Sequence, residues 1–172
     1  MEAGFRPLRL VDQAPYQAFL ARCPEATSDY SFLNLYAWAP VYGLEWAQAE
    51  GLAWIRQTRP FPALWAPVGA WRNADWAALA QRFSEMRSGV IRVPEPLARL
   101  WAEAFGGAVT MAEDRNQFDY VYRAEDLIVL PGNRYHKKKN LIRQFEKRYS
   151  FTYAPMTPAL VEQAKALQED WC

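Results

Sequence analysis

The chain has 172 residues, 51% apolar and 23% charged, a balance that excludes a disordered segment and suits one packed domain, or one domain plus the start of another. Its net charge of +1 excludes a whole-molecule field that would draw it to nucleic acid or lipid. Two cysteines, Cys23 and Cys172, far apart and without a CxxC pair, argue against a disulfide framework or a zinc site. No apolar run approaches the roughly 20 residues of a membrane helix. The opening MEAGFRPLRL has no basic-then-apolar leader, so the expected setting is a reducing cytoplasm.

Taken in chain order, Phe5 to Val11 alternates as a strand, and Pro15 opens a helix through about Arg22. Ser28 or Asp29 caps a second helix towards Tyr42, with Pro40 ending or bending it and Gly43 stopping it. Leu44–Ala49 and Leu52–Thr58 flank Glu50-Gly51 as a hairpin, and a third strand follows near Ala63–Ala66. Asn73 caps a helix over Ala74–Arg87, Val90–Val93 is a short strand, and a helix from about Pro96 to Phe105 ends at Gly106-Gly107. Val109–Ala112 and Phe118–Tyr122 read as two more strands. After Leu130-Pro131-Gly132, Asn133 caps a helix to about Tyr149, Phe151–Ala154 is strand-like, and Thr157-Pro158 starts a last helix. This order predicts an α/β (α+β) fold, a mixed central sheet with helices on both faces. It is also the element order of the acyl-CoA N-acyltransferase (GNAT) fold.

One block is chemically distinctive. Arg134 to Arg148 carries seven Lys or Arg against one Glu, a local +6 on a body of about −5. On a helical wheel, Tyr135, Leu141, Ile142, Phe145 and Tyr149 take one side, an apolar face expected to be buried, and His136, Lys139, Asn140, Arg143 and Lys147 take the other, a basic stripe expected to be exposed. Lys137, Lys138 and Lys139 crowd the first turns, where unpaired N–H groups and the helix dipole already present positive charge. An anion there converts an unfavourable cluster into a binding site. The candidate anion- or phosphate-binding residues are therefore His136, Lys137, Lys139, Asn140, Arg143 and Lys147; the competing reading is an ordinary solvated face. His136, the single histidine, has the pKa of a general base, but among three lysines it reads first as a surface residue or a hydrogen bonder at the helix start.

Elsewhere, Phe32, Tyr36, Trp38 and Tyr42 read as core aromatics rather than a ligand cage. Glu113, Asp114 and Asp119 read as loop and strand-edge charges around Arg115. No GxSxG, Walker A, GxGxxG or HExxH pattern occurs. The pyrophosphate loop of simple acetyltransferases (Gln/Arg-x-x-Gly-x-Gly/Ala) is missing too. No catalytic residue and no metal ligand is assigned.

Ser28-Asp-Tyr-Ser-Phe-x-Asn-Leu-Tyr-x-Trp38, Tyr42-Gly43 and Pro67-x-Gly69, then Asp114-Arg-Asn-x-Phe-Asp-Tyr-Val-Tyr122, Asp126-Leu127 and Leu130-x-Gly-x-x-Tyr-His-Lys-Lys-x-Asn140 together resemble the bacterial phosphatidylglycerol lysyltransferase C-terminal-domain family. The resemblance runs from about residue 5 to the end. It implies two GNAT-like lobes in tandem, with residues 1–130 as the first and 131–172 as the start of the second, and kinship to aminoacyl-tRNA-dependent transferases. The resulting expectation is an acyl- or aminoacyltransferase-like protein with aminoacyl-tRNA or acyl-CoA as donor and no tightly bound cofactor. The alternative is a non-catalytic RNA- or anion-binding module on the same fold. With the rest of the second lobe lacking, the chain alone is expected to be inactive, and its last helix, where Leu160, Val161, Ala164, Leu167 and Trp171 share a face, is expected to mediate self-association or to pack onto the first lobe.

Overall fold

The computed structural model describes residues 4–25 and 27–171. A first unit ends at Asp119 and a second begins at Tyr120.

The first unit is built on a five-stranded sheet in the order β1-β2-β3-β4-β5, comprising Arg6–Pro7, Glu45–Ala49, Leu52–Gln57, Ala63–Gly69 and Val90–Ile91. The first four strands pair antiparallel and β5 runs parallel to β4. The sheet is thus mixed, as the element order predicts. At the β2–β3 turn, Glu50 (φ 53°) and Gly51 (φ 74°) are both left-handed, the conformation that matches the strands' own twist. The β3–β4 register shifts between Ala53 and Ile55. There Trp54 stands opposite both Ala66 and Pro67, and a bulge is a place where a strand tolerates a proline. Nearly every residue of β3 and β4 is buried, so both faces of the central strands are covered.

The helices of this unit are α1 (Gln13–Leu20), α2 (Phe32–Tyr42), α3 (Trp76–Arg82) and α4 (Glu95–Phe105). Ser31 caps α2, its side chain accepting from the Asn34 N–H at 3.3 Å, so the cap lies beyond Ser28 and Asp29, which form a 3-10 turn. Pro40 lies inside α2 and the helix closes at Gly43 in the left-handed conformation, φ 59°. A Cβ at Gly43 would meet Thr58 Oγ1 at 2.1 Å, so both the backbone angle and the close approach require glycine. Asp75, not Asn73, caps α3 through the Ala78 N–H at 3.0 Å. That helix then gives way at Phe83 to a 3-10 turn over Ser84–Ser88.

The core is aromatic. Six of the eight tryptophans are buried: Trp46, Trp54, Trp65, Trp71, Trp76 and Trp101. Trp54 stacks on Phe83 with centroids 4.4 Å apart, and Trp76 meets Trp101 edge-on at 5.3 Å. Two of these indoles are tied off where they enter the core: that of Trp54 donates to the Ala49 carbonyl at 3.1 Å, and that of Trp65 to Gln57 Oε1 at 2.9 Å.

Three predicted strands are absent. The first strand is only Arg6–Pro7, because the Asp12 carboxylate turns the chain back. It accepts the Arg6 guanidinium at 2.6 and 2.8 Å and the Arg9 N–H at 2.8 Å. Val109–Ala112, Phe118–Tyr122 and Phe151–Ala154 form no strand. Their apolar side chains have no partner strand of a sheet to lie on, and alternation without a neighbour does not hold a strand. In the second unit the helices are α5 (Ala124–Val129), unforeseen from the sequence, α6 (His136–Arg148) and α7 (Pro158–Trp171). Thr157 caps α7 as expected, accepting from the Leu160 N–H at 3.3 Å.

The Arg6 hydrogen bonds, opposed by burial and aided by the Arg9 N–H, lower the Asp12 pKa from its ordinary 3.8 to about 2. A folded pKa below the unfolded one gives stability that is present above the unfolded value and is lost as pH falls through the folded one. Urea unfolding should therefore show stability declining from about pH 4 towards pH 2. Asp12→Asn should cost about 2 kcal/mol at neutral pH and flatten that acid limb. An unchanged acid limb in the variant would count against this role for Asp12.

Candidate functional site

The basic helix is present. A 3-10 turn over Asn133–Tyr135 leads into α6, whose N-cap is Tyr135 with no side-chain cap. The first-turn N–H groups therefore have no side-chain acceptor, and Asn133 is not the cap. His136 and Lys137 are exposed, Lys139 and Asn140 half-buried, and Arg143 and Lys147 exposed. Lys139, Arg143 and Lys147 recur every fourth residue and form one row. Among the described residues none of these cations is in a salt bridge, whereas neighbouring Arg134 pairs with Asp126 and lies over the Tyr135 ring.

The opposite side of α6 differs from expectation. Tyr135 is buried, but Leu141, Ile142, Phe145 and Tyr149 are each about half exposed. Phe145 packs against its near neighbours in sequence, Tyr149 and Phe151, with ring centroids 5.1 Å away in each case. On α7, Leu167 and Trp171 are likewise open, Trp171 at 89%.

A second constellation, not singled out by sequence, lies wholly in the first unit. Arg92 follows β5 with a left-handed backbone, φ 56°. Its guanidinium lies over Trp65, 4.2 Å from the ring centroid, and donates to the Asp29 carboxylate. With Asn34, Leu35, Trp38 and Tyr42 these residues line a cleft of about 170 Å³. The expected core stripe on α2 is thereby split: Phe32 is buried, while Tyr36 and Trp38 are exposed at 42% and 51%. Asp119 also has a different role from a strand-edge charge. Its carboxylate accepts the Ser28 N–H at 2.9 Å and the Ser28 hydroxyl, fixing the turn that carries Asp29. The sequence signals were two opposite charges and three aromatics, brought together only by the fold.

A wider hollow of about 300 Å³ lies along α4, lined by Arg72, Glu95, Arg99 and Glu103. Arg99 and Glu95 already pair there in solvent, and such pairs contribute little. Cys23 is no ready nucleophile, because burial pushes its thiol pKa up. Among the described residues no cluster of His, Cys, Asp and Glu has the makings of a metal site, and no helix is long and apolar enough to cross a membrane.

A mixed five-stranded sheet wrapped by helices, followed by a basic amphipathic helix, places the protein among α+β folds consistent with the GNAT-like architecture. The chain belongs to the family described as phosphatidylglycerol lysyltransferase, C-terminal, which matches residues 20–172. It is similar in structure to a conserved protein of unknown function from Bacteroides thetaiotaomicron, with a TM-score of 0.81 at 24% identity. That likeness covers 99% of this chain and 59% of the other. Among curated proteins there is no match.

Proposed function

We propose that this chain is part of a cytoplasmic acyl- or aminoacyltransferase-like protein, and that α6 guides a phosphate-bearing donor, aminoacyl-tRNA ahead of acyl-CoA. Family membership over residues 20–172 supports the transferase sense. The observation that carries the donor reading is the row Lys139, Arg143 and Lys147, unpaired among the described residues, which begins with Lys139 (beside Lys137 and Lys138) near a helix start without a side-chain cap and runs to the last turn. Cations at that end raise the energy of the helix, and phosphate oxygens reverse the sign. In this reading the second unit begins a second GNAT-like lobe, whose further packing covers Leu141, Ile142 and Phe145. Donor and acceptor must be positioned together for transfer, so the present chain should bind without turning over.

The test is tRNA binding as a function of salt. Three neutralised phosphates predict that affinity falls on the order of 20- to 40-fold between about 50 and 200 mM salt. Replacing Lys139, Arg143 and Lys147 together by Gln should abolish most of that dependence with little change in stability. A variant that keeps wild-type affinity for tRNA and acyl-CoA at low salt returns the helix to ordinary surface. Binding by a longer form of the protein that never supports acyl transfer would favour the non-catalytic module.

A further inference from the structure

We infer that residues 109–119 form a strap that closes on the Ser28 turn through the Asp119 carboxylate, and that its closure helps hold Arg92 in a strained, buried conformation beside Trp65. This inference is independent of the basic helix and of its donor.

The strap has one hydrogen-bonded anchor. Residues 110–119 are all exposed and Val109 is half-buried. Among the described residues, its other hydrogen bonds are internal. The Asn116 N–H donates to Asp114 Oδ1 at 3.1 Å, the Gln117 N–H to the Asp114 carbonyl at 3.0 Å, and the Phe118 N–H to the Arg115 carbonyl at 3.4 Å. The Arg115 guanidinium lies over the ring of Phe118, also in the strap. Asp119 alone bonds outside it, to a residue 91 positions away: one carboxylate oxygen accepts the Ser28 N–H at 2.9 Å and the other the Ser28 hydroxyl. Hydrogen bonds to an ionised acceptor are stronger than neutral ones, and two from one residue also fix its orientation.

The anchored turn leads to Arg92. Ser28 opens the 3-10 turn Ser28–Tyr30, and its carbonyl accepts the Asn34 side-chain amide at 2.8 Å, which braces the turn on α2. The next residue, Asp29, accepts the Arg92 guanidinium, and the hydroxyl of buried Tyr30 lies 3.5 Å from the Arg92 carbonyl. Arg92 needs such support. Its backbone is left-handed, φ 56°, and its Nε–H is buried with no hydrogen-bond partner among the described residues. Both are unfavourable. A residue in so costly a state stays there only while its surroundings over-determine it. Asp29 and the Trp65 ring, whose centroid is 4.2 Å from the guanidinium, supply that constraint, and Asp29 is steadied by the neighbour that the strap grips. Opening the strap therefore loosens Arg92, and by reciprocity loosening Arg92 opens the strap. Anything that captures the strap is thereby felt at Arg92.

The experiment pairs limited trypsin digestion of the full chain at Arg115, with the cut mapped by mass spectrometry, and NMR hydrogen exchange of the Arg92 Nε–H, a buried proton that reports this residue alone. Both are run where the β3 and β4 amides stay protected, so that global unfolding does not contribute. Asp119→Asn and Ser28→Ala should each speed both cutting and exchange about 5-fold or more. Asp29→Asn, at a residue with no hydrogen bond to the strap among those described, should speed cutting as well as exchange. Asp114→Asn disturbs only an internal bond of the strap and should leave Arg92 unchanged. Ser28→Ala deletes a single exposed hydroxyl, so it reports even if Asp119→Asn does not fold. The inference is overturned if the folded Asp119 and Ser28 variants are cut like the parent chain, or are cut faster while exchange at Arg92 is unchanged (an independent strap). It is equally overturned if Asp29→Asn leaves cutting unchanged, or if Asp114→Asn speeds exchange at Arg92 as much as they do (a strap held by its own turn).

Discussion

Replacing Trp54 by alanine is expected to destabilise the first unit by about 3–5 kcal/mol and lower its Tm by roughly 10–20 °C. Trp54 is fully buried, sits at the bulge of the two central strands and stacks on Phe83. Truncation removes a large apolar area, leaves a cavity that the sheet cannot close, and orphans the Ala49 carbonyl at the end of β2. Because the loss is of packing and not of compactness, the urea midpoint should move with little change in slope. Trp38→Ala is the matched control. The same substitution at a half-exposed ring should cost well under 1 kcal/mol. A Trp54→Ala protein as stable as Trp38→Ala would show that the core is not organised around this bulge.

Amide hydrogen exchange should divide the chain sharply. The amides of β3 and β4 should exchange only through global unfolding, whereas those of α6 and α7 should exchange on the order of 10³-fold faster or more. Isolated helices of 13 and 14 residues are marginal in water and need tertiary burial to persist. In the second unit Leu141 is 60% exposed, Val129 69%, Leu167 69% and Trp171 89%. With so little apolar area removed from water, there is little to offset the entropy of ordering. Protection in α6 equal to that in β3 would mean that these helices have a core of their own. Faster exchange that slows with rising protein concentration would point to self-association as what covers them.

The first unit was largely legible in its sequence, because its signals were local. Glu50-Gly51 between two apolar runs, Gly43 after a helical stripe and Gly106 after another each specify a turn or a stop by backbone chemistry alone. What failed needed distant partners. Phe5 to Val11 has strand alternation, but Asp12 captures Arg6 and cuts it to two residues. Val109–Ala112 and Phe118–Tyr122 have strand composition and no neighbouring strand. Asp29 reads as a helix cap until a fold places it against Arg92, 63 residues away. On the wheel α6 has an apolar face and a basic one, and the helix does form. Periodicity shows which side chains share a face but not whether anything covers it, so Leu141 and Ile142, expected to be buried, are open. The Arg92 cleft was not legible, because its members come from α2, β4 and the turns beside them.

The two outer strands of the sheet carry one more consequence. β1 and β5 have two residues each, and β1 includes Pro7, which has no N–H to offer. A sheet recruits a foreign strand through a row of unpaired donors and acceptors along its rim. Each of these two outer strands gives an incoming chain at most a bond or two to grip, too few for an intruding strand to zip into register along it. Contacts between copies of this protein should therefore not propagate as growing β-ribbons. They should form through side chains, remain finite in size, and come apart in mild detergent rather than needing strong denaturant.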